Sequence, residues 1–147
     1  MARPKTLDLA DYLPYLINRV GAALVARFSA EALDAHGLSI ATWRVLVTLS
    51  QMGPLRQIDL AAHTSIDVST LSRLVTRLVQ QGLVTRARSA NSNREVTVQV
   101  TAKAEKLIAE LIPIAHRLER TAMAGLSASE LRQVKDSLRK IYGNLTR

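Results

Sequence analysis

The segment of residues 57–101 constrains the fold of this chain more than any other part of it. Five apolar residues within it recur at the spacing of one helix face: Leu71, Leu74, Val75, Leu78 and Val79. Gly82 follows where this periodicity stops, and glycine readily adopts the left-handed conformation that ends many helices. The pattern therefore predicts a helix that ends beside Gly82 and buries this face.

A β-hairpin is predicted directly after this helix. An extended run begins at Leu83, and residues 89–93 form a loop-forming tract of Ser, Ala and Asn. Valines at positions 96, 98 and 100 then alternate with polar residues, which is the pattern of a strand with one buried face. Three arginines are expected on or beside the tip of this two-stranded ribbon: Arg86, Arg88 and Arg94.

Another short helix is predicted on the N-terminal side of the helix that ends beside Gly82. Ile58, Leu60 and Ala61 have amphipathic helical spacing, and residues 64–67 turn the chain, with Asp67 placed to cap the next helix. A helix, a turn, a second helix and a hairpin follow each other in this order in the winged helix-turn-helix. The alternative is a helical pair in another small α+β domain.

The exposed face of the helix that ends beside Gly82 carries side chains that suit DNA. Short hydrogen-bonding groups alternate there with two arginines: Ser69, Thr70, Ser72, Arg73, Thr76 and Arg77. Hydroxyl and guanidinium groups match base edges in the major groove and phosphate oxygens. Arginines on an exposed ribbon can also reach a phosphate or enter the minor groove. These residue types indicate that the segment binds double-stranded DNA.

Composition agrees with a polyanionic partner but does not identify it. The chain has 147 residues, of which 48% are apolar, and a net charge of +8 that favours nucleic acid or an acidic membrane surface. Residues 53–101 hold six Arg or Lys and three Asp or Glu, while residues 102–147 hold nine and five, so the excess is spread along the chain. The placement of the arginines favours DNA. The alternative is a non-enzymatic helical interaction protein whose basic surface binds an acidic partner or a membrane.

Several classes of protein are excluded by what the sequence lacks. There is no cysteine, which excludes disulfides and thiolate metal sites, and the three histidines form no close ligand pair, so no metal site is expected. No cluster of nucleophile, base and orienting residue is visible, so neither catalytic residues nor a cofactor is expected. No apolar run approaches roughly 18 residues and no signal-peptide core follows the N-terminus, which predicts a cytoplasmic protein without a membrane partner.

Two helices are predicted on the N-terminal side of this segment. Apolar spacing predicts the first over residues 11–35, with Pro14 in its first turn, where the missing N–H does no harm. Ser39 can cap the second, which stops at Gly53-Pro54.

Two more helices are predicted on the C-terminal side. Residues 102 to about 125 have helical spacing, in which Pro113 predicts a kink or a local break. Ser127 and Glu130 fit a capping box, after which a last helix runs to the C-terminus.

The apolar faces of the outer helices predict a homodimer. They exceed what a small DNA-binding module can cover, so residues 1–37 and 102–147 are assigned to a helical dimerisation region and residues 38–101 to the winged helix-turn-helix. The two regions form one interwoven domain of a mainly α (α+β) fold. A two-fold dimer would place two recognition helices about 34 Å apart on one face of the duplex. The alternative is a monomer whose outer helices fold over the module.

The order of these elements resembles the MarR family of winged helix-turn-helix transcription regulators. The motifs that carry the resemblance are Leu38-Ser39 and residues 43–46, 59–61, 66–74, 81–84 and 98–101. The resemblance implies a homodimer on a pseudo-palindromic operator, usually as a repressor, with recognition helices in major grooves and wings in flanking minor grooves. By position it implies DNA contacts from Ser69, Thr70, Ser72, Arg73 and Arg77, and from Arg94 at the wing tip.

Two positions depart from the family pattern. Ser92 stands two residues before Arg94, where the family usually has an acidic residue, so the charge pairing that orders the wing tip is missing. Arg56 stands where a Ser or Thr commonly caps the first helix of the motif, so that cap is not expected. A phosphate contact is the alternative role for Arg56.

The resemblance also implies release from DNA by a small, often aromatic and anionic, effector between the dimerisation helices and the module. Trp43 offers a stacking surface, while Arg19, His36 and Arg44 can meet a carboxylate. The simpler interpretation of Trp43 is a core position, because it lies on the apolar face of its helix. The simpler interpretation of the three cations is that they are surface groups.

Overall fold

Helices dominate the fold, which is seen in a computed structural model that describes residues 6–89 and 92–147, without the side chains at positions 89 and 92–94. The described residues form six α-helices and three strands: α1 (Leu13–Phe28), α2 (Ile40–Met52), β1 (Leu55–Arg56), α3 (Gln57–Thr64), α4 (Val68–Gln80), β2 (Val84–Ser89), β3 (Ser92–Val100), α5 (Ala102–Ala122) and α6 (Ala128–Leu145). The predicted mainly α fold with a winged helix-turn-helix is confirmed.

The wing is part of a three-stranded antiparallel sheet with strand order β1-β3-β2. Val84 of β2 lies opposite Val100, and Leu55 of β1 lies opposite Val98. The hairpin was predicted, but β1 was not, because two residues are too few for an alternating pattern to show. This short strand ties the start of α3 to the wing.

The junction between α4 and β2 is fixed by hydrogen bonds. The N–H of Leu83 donates to the Leu78 carbonyl at 3.0 Å and the N–H of Gly82 to the Val79 carbonyl at 3.0 Å. Gly82 has φ +72°, so the left-handed helix end predicted from the sequence is confirmed. The recognition helix and the wing therefore leave this junction in defined directions.

The core consists of two groups of buried side chains. One lies within the winged module and at the start of α5, and its largest members include Leu46, Leu49, Leu60, Leu71, Leu78, Val98 and Ile108. The other joins the end of α1 to α5 and consists of Phe28, Ala32, Leu33, Leu111 and Leu118. Leu38, Trp43 and Leu107 pack against both groups, so the module and the outer helices share one continuous interior.

The N-terminal helix differs from the prediction of one α-helix over residues 11–35. Regular α-helix is confined to α1, and Ser29–Leu33 forms a wider π-helical turn, followed by a tighter 3₁₀ turn at Asp34–His36. Ala32 and Leu33 are both buried, with Leu33 fully inaccessible to solvent. Apolar spacing alone does not distinguish these helix types, which is why the prediction was wrong at this end.

Two residues on faces predicted to be buried are exposed. Val79 is 37% exposed in the last turn of α4, and Val96 is 49% exposed on β3. The core of the module reaches β3 at Val98 and Val100, whereas β1 pairs with β3 only at Thr97 and Val98. Alternation correctly assigned the strand, but the ribbon extends past the core that would cover Val96.

The two C-terminal helices follow the sequence pattern closely. Helix α5 continues through Pro113, so the predicted local break does not occur there. Ser127 and Glu130 form the predicted capping box, in which the Glu130 N–H donates to Ser127 Oγ at 3.1 Å and the Ser127 N–H donates to Glu130 Oε2 at 2.7 Å.

Candidate DNA-binding surface

Asp67 organises the first turn of α4. Its Oδ1 accepts hydrogen bonds from the backbone N–H of Ser69 at 3.1 Å and of Thr70 at 3.0 Å, which confirms the predicted cap. The Ser69 hydroxyl donates to the same oxygen at 2.6 Å, and the Thr70 hydroxyl donates to Oδ2. The hydroxyls of Ser69 and then Thr70 hold the pKa of Asp67 well below its usual value. The carboxylate is therefore ionised, and both hydroxyls are held in place.

The rest of the polar face continues along α4. Arg73 Nη2 lies 3.5 Å from Thr70 Oγ1, at the limit of a hydrogen bond, and its side chain is exposed. Arg77 is exposed, and its guanidinium makes no hydrogen bond or ion pair with another residue in the part of the chain that the structure describes. Of the five predicted helix contacts, Ser72 alone is half-buried. The geometry brings the other four to the solvent-exposed face.

The wing places two arginines on the same face of β2. Arg86 lies opposite Val98 and Arg88 opposite Val96, and both arginines are exposed. The predicted contact Arg94 lies in β3 by its backbone, but its side chain is outside the described part of the structure. The side chain of Ser92, where the sequence predicts that the usual charge pair is missing, is also outside the described part of the structure.

The guanidinium of Arg86 is bound within the module. Arg86 Nη2 donates to Thr76 Oγ1 at 3.0 Å and to Gln57 Oε1 at 3.2 Å, and its Nε donates to Gln57 Oε1 at 3.3 Å. Nothing in the sequence singled out Gln57, since its side chain meets Arg86 only after the chain has folded. A polar residue directly after β1, at the start of α3, was the only available signal.

Arg56 is also engaged by neighbouring carboxylates. Its Nε donates to Asp59 Oδ2 at 2.8 Å, and its Nη1 lies 3.7 Å from Glu95 Oε1 on β3. The hydrogen bond from Arg56 lowers the pKa of Asp59, and the bond to Asp59 raises the pKa of Arg56. No side chain caps α3 at Arg56, as the sequence predicted. The guanidinium of Arg56 thus faces two carboxylates. A contact between Arg56 and a phosphate stays a prediction.

The four residues predicted to bind an effector do not come together in one pocket. Arg19 stacks over the ring of Tyr15 at 5.8 Å, and His36 lines a cleft with Lys103. Arg44 lines a separate groove against α1, while Trp43 faces a third space. The predicted set is therefore divided among four places.

Trp43 lies at the edge of an apolar cavity of about 390 Å³ between α1, α2, α5 and α6. Its ring meets that of Phe28 at a centroid distance of 5.1 Å and an interplanar angle of 60°, and it packs against both core groups. Trp43 is half-buried and packs against the core, which agrees with its interpretation as a core position, and it also lines the cavity. The cavity wall also includes Glu119 and Lys135, which form an ion pair at 3.0 Å.

Residues 6–89 and 92–147 contain neither a membrane-spanning helix nor a metal-binding cluster. No helix in these ranges is long and apolar enough to cross a membrane. No group of three or more histidine or acidic side chains in the described ranges is arranged to hold a metal ion.

Comparison with known proteins gives consistent matches. The model of the MarR family matches residues 38–96. The chain is 31% identical over 137 residues to the HTH-type transcriptional repressor Rv2887 of Mycobacterium tuberculosis, covering 92% of this chain and 98% of the relative.

Solved structures match over a similar length. A MarR family transcriptional regulator from Silicibacter pomeroyi DSS has a TM-score of 0.87 and 27% identity over 99% of each chain. Bordetella bronchiseptica BpsR, whose DNA binding is regulated by 6-hydroxynicotinic acid, has a TM-score of 0.78 and 26% identity, covering 88% of this chain and 98% of BpsR.

The matches to Rv2887 and to the solved structures include both the DNA-binding module and the outer helices. Members of the matched family are regulators that bind DNA and are not enzymes. The 31% sequence identity to Rv2887, over 98% of that protein, and the shared winged helix-turn-helix show that this chain belongs to the MarR family of DNA-binding transcription regulators.

Proposed function

We propose that this regulator is a homodimeric repressor that binds a pseudo-palindromic operator in the cytoplasm. The observation that carries the proposal is the shared exposure of the α4 polar face and the β2 arginines, which suits a major groove and its flanking minor groove. The residues proposed to contact DNA are Ser69, Thr70, Ser72, Arg73, Arg77, Arg86, Arg88 and Arg94. Repression is supported by the similarity to the repressor Rv2887.

The dimer is supported by apolar surface on the outer helices. Leu13, Leu16 and Val20 on α1 are 42–55% exposed, and no residue of α6 is buried, although Leu138 and Leu145 are large and apolar. Full burial of such a side chain is worth about 1.5–3 kcal/mol, so a second copy that covers these faces gains considerable free energy. We propose that residues 1–37 and 102–147 form this interface around a two-fold axis.

Light scattering after size-exclusion chromatography tests the dimer. The wild-type protein is expected at about twice the protomer mass of 16.1 kDa, and a Leu16→Glu/Leu138→Glu variant at the mass of one protomer. Arg132→Glu, an exposed charge change on α6, serves as the control. On a candidate operator the wild type should give a two-fold-symmetric footprint that the monomeric variant loses. A wild-type mass of one protomer at concentrations that saturate the operator contradicts the proposal.

We also propose that a small aromatic effector weakens operator binding. Support comes from BpsR, whose DNA binding responds to 6-hydroxynicotinic acid, and from the cavity beside Trp43, whose apolar wall fits an aromatic ring. The ion pair of Glu119 and Lys135 supplies a polar end for such a ring. Roles for Arg19, His36 and Arg44 stay predictions.

Thermal unfolding with 6-hydroxynicotinic acid and benzoate as probes tests this effector site. A ligand that binds the folded state raises the unfolding temperature, and a bound effector is expected to weaken operator binding as well. Ala115→Leu places a larger side chain in the cavity wall and should reduce the temperature shift. A shift that is equal in both proteins places the binding elsewhere, and no shift with any aromatic probe contradicts the proposal.

A further inference from the structure

The guanidinium of Arg86 joins three elements of the DNA-binding module at one point. Arg86 belongs to β2, Thr76 to α4 and Gln57 to the first position of α3, and the bonds between them measure 3.0–3.3 Å. A single side chain of the wing thus holds both helices of the helix-turn-helix.

The direction of each hydrogen bond at this point is determined by chemistry. The Thr76 hydroxyl donates its only proton to the Ser72 carbonyl at 3.1 Å, so its oxygen meets Arg86 as an acceptor. Gln57 Oε1 can only accept. Arginine carries donors alone and is charged, which makes these bonds stronger than those between neutral groups. Both partners therefore suit the forked guanidinium of arginine better than the point charge of lysine.

The contact lies where the wing leaves the core. Arg86 is opposite the fully buried Val98, whereas the next pair outward, Arg88 and Val96, includes a valine that is 49% exposed. The outer part of the ribbon therefore has no core beneath Val96 to set its direction. The bond from Arg86 to α4 lies at the last buried pair, at the base of this outer part of the ribbon.

We propose that Gln57 and Thr76 are positioning residues for operator binding, which act by holding Arg86 and so fixing the angle between the wing and α4. With this angle fixed, the wing meets a minor groove when α4 lies in the adjacent major groove. Without it, the wing must be ordered as the complex forms, which lowers affinity. The inference rests on the proposed binding mode, in which α4 and the wing contact the same duplex.

The test removes the acceptors without altering any charge. Gln57→Met and Thr76→Val keep the approximate shape of each side chain, and operator affinity is measured over a series of KCl concentrations. The combined variant is expected to bind on the order of tenfold more weakly, because charged hydrogen bonds are lost. Its log-log salt slope should equal that of the wild type, because no phosphate contact is removed. At saturating protein, hydroxyl-radical protection should match that of the wild type both under α4 and at the flanks of the site, because the wing still contacts DNA once it has been ordered.

Two further variants separate this role from a general loss of structure. Thr85→Val removes an exposed hydroxyl from the same strand outside this contact, and it should bind like the wild type. Arg86→Lys keeps the charge but cannot bridge both acceptors in the same way, so it should bind as weakly as the combined variant. Adding Gln57→Met/Thr76→Val to Arg86→Lys should cause no further loss of operator affinity, since the effects of substitutions in one hydrogen-bonded unit do not add.

Three results overturn the positioning role. Wild-type affinity in the combined variant shows that the contact does not matter for binding. A salt slope reduced in that variant shows that phosphate contacts were lost instead. Loss of protection under α4 at saturating protein shows that the helix, not the wing, has moved. Failure of the wild-type protein to bind a two-fold-symmetric site contradicts the proposed function itself, and the same footprint reveals it.

Discussion

Arg77 offers a direct residue-scale test of a DNA contact, because its exposed guanidinium has no partner among the described residues. Arg77→Ala is expected to lower operator affinity and to reduce the log-log salt slope by about 0.9, the value for one phosphate contact. Fluorescence anisotropy at several salt concentrations measures both quantities. Arg120→Ala, which removes the same charge from an exposed position on α5, should leave the slope unchanged. Equal slopes for the wild type and Arg77→Ala contradict the contact.

Asp67 links the stability of the fold to pH. Hydrogen bonds from Ser69 and Thr70 lower its pKa in the folded state. Its contribution to stability is therefore present above the pKa of the unfolded chain, about 3.9, and is lost as pH falls through the lower folded-state value. Asp67→Ser replaces this cap by a neutral one of similar capping strength. The wild type should unfold at a higher temperature than the variant at neutral pH, with a difference that shrinks below about pH 4. A difference that stays constant down to about pH 2 contradicts this explanation.

At the scale of single residues, the sequence predicted groups that act locally and missed groups that act across elements. Asp67 was identified because a cap bonds to backbone only two and three residues away. Gln57 was missed because its partner, Arg86, is 29 residues further along the chain. Arg86 was predicted as a DNA contact from its charge and its place on the predicted ribbon, and its bond to Thr76 became visible only in the folded structure.

Helix α4 provides the clearest comparison at the scale of an element. Leu71 is fully buried, whereas Val79, on the same apolar face of the sequence pattern, is 37% exposed. Leu71→Ala is expected to lower the free energy of unfolding by about 2–5 kcal/mol, as large-to-small changes in cores do. Val79→Ala should cost under about 1 kcal/mol, because its surroundings remain open to solvent. Chemical denaturation of the two variants measures the difference, and similar losses contradict the burial assigned to this helix.

Elements with clear end signals were predicted well, and those without such signals were not. Gly82 ended α4 and the box of Ser127 and Glu130 began α6, because these residues fix backbone hydrogen bonds locally. Strand β1 was missed because it has two residues and depends on pairing with β3. The π-helical turn at Ser29–Leu33 was missed because apolar spacing does not distinguish a π-helix from an α-helix.

For the molecule as a whole, the sequence predicted surplus apolar surface but not where an effector binds. The apolar faces of the outer helices were sufficient to predict the surplus apolar surface, and their exposure in the single chain agrees with that prediction. The effector residues were chosen by residue type, and three of them lie apart from the cavity beside Trp43. A cavity depends on how four helices meet, which periodicity along one chain does not show.

Selection of genomic DNA fragments by the purified protein at near-physiological salt tests the central claim most directly. An Arg73→Ala/Arg77→Ala variant, which lacks two exposed cations of α4, serves as the matched control. We expect the wild type to enrich a two-fold-symmetric site whose half-sites lie about 34 Å apart, and the variant to lose that enrichment. Diffuse binding that is equal in both proteins would contradict an operator-binding dimer and favour a basic surface for another acidic partner.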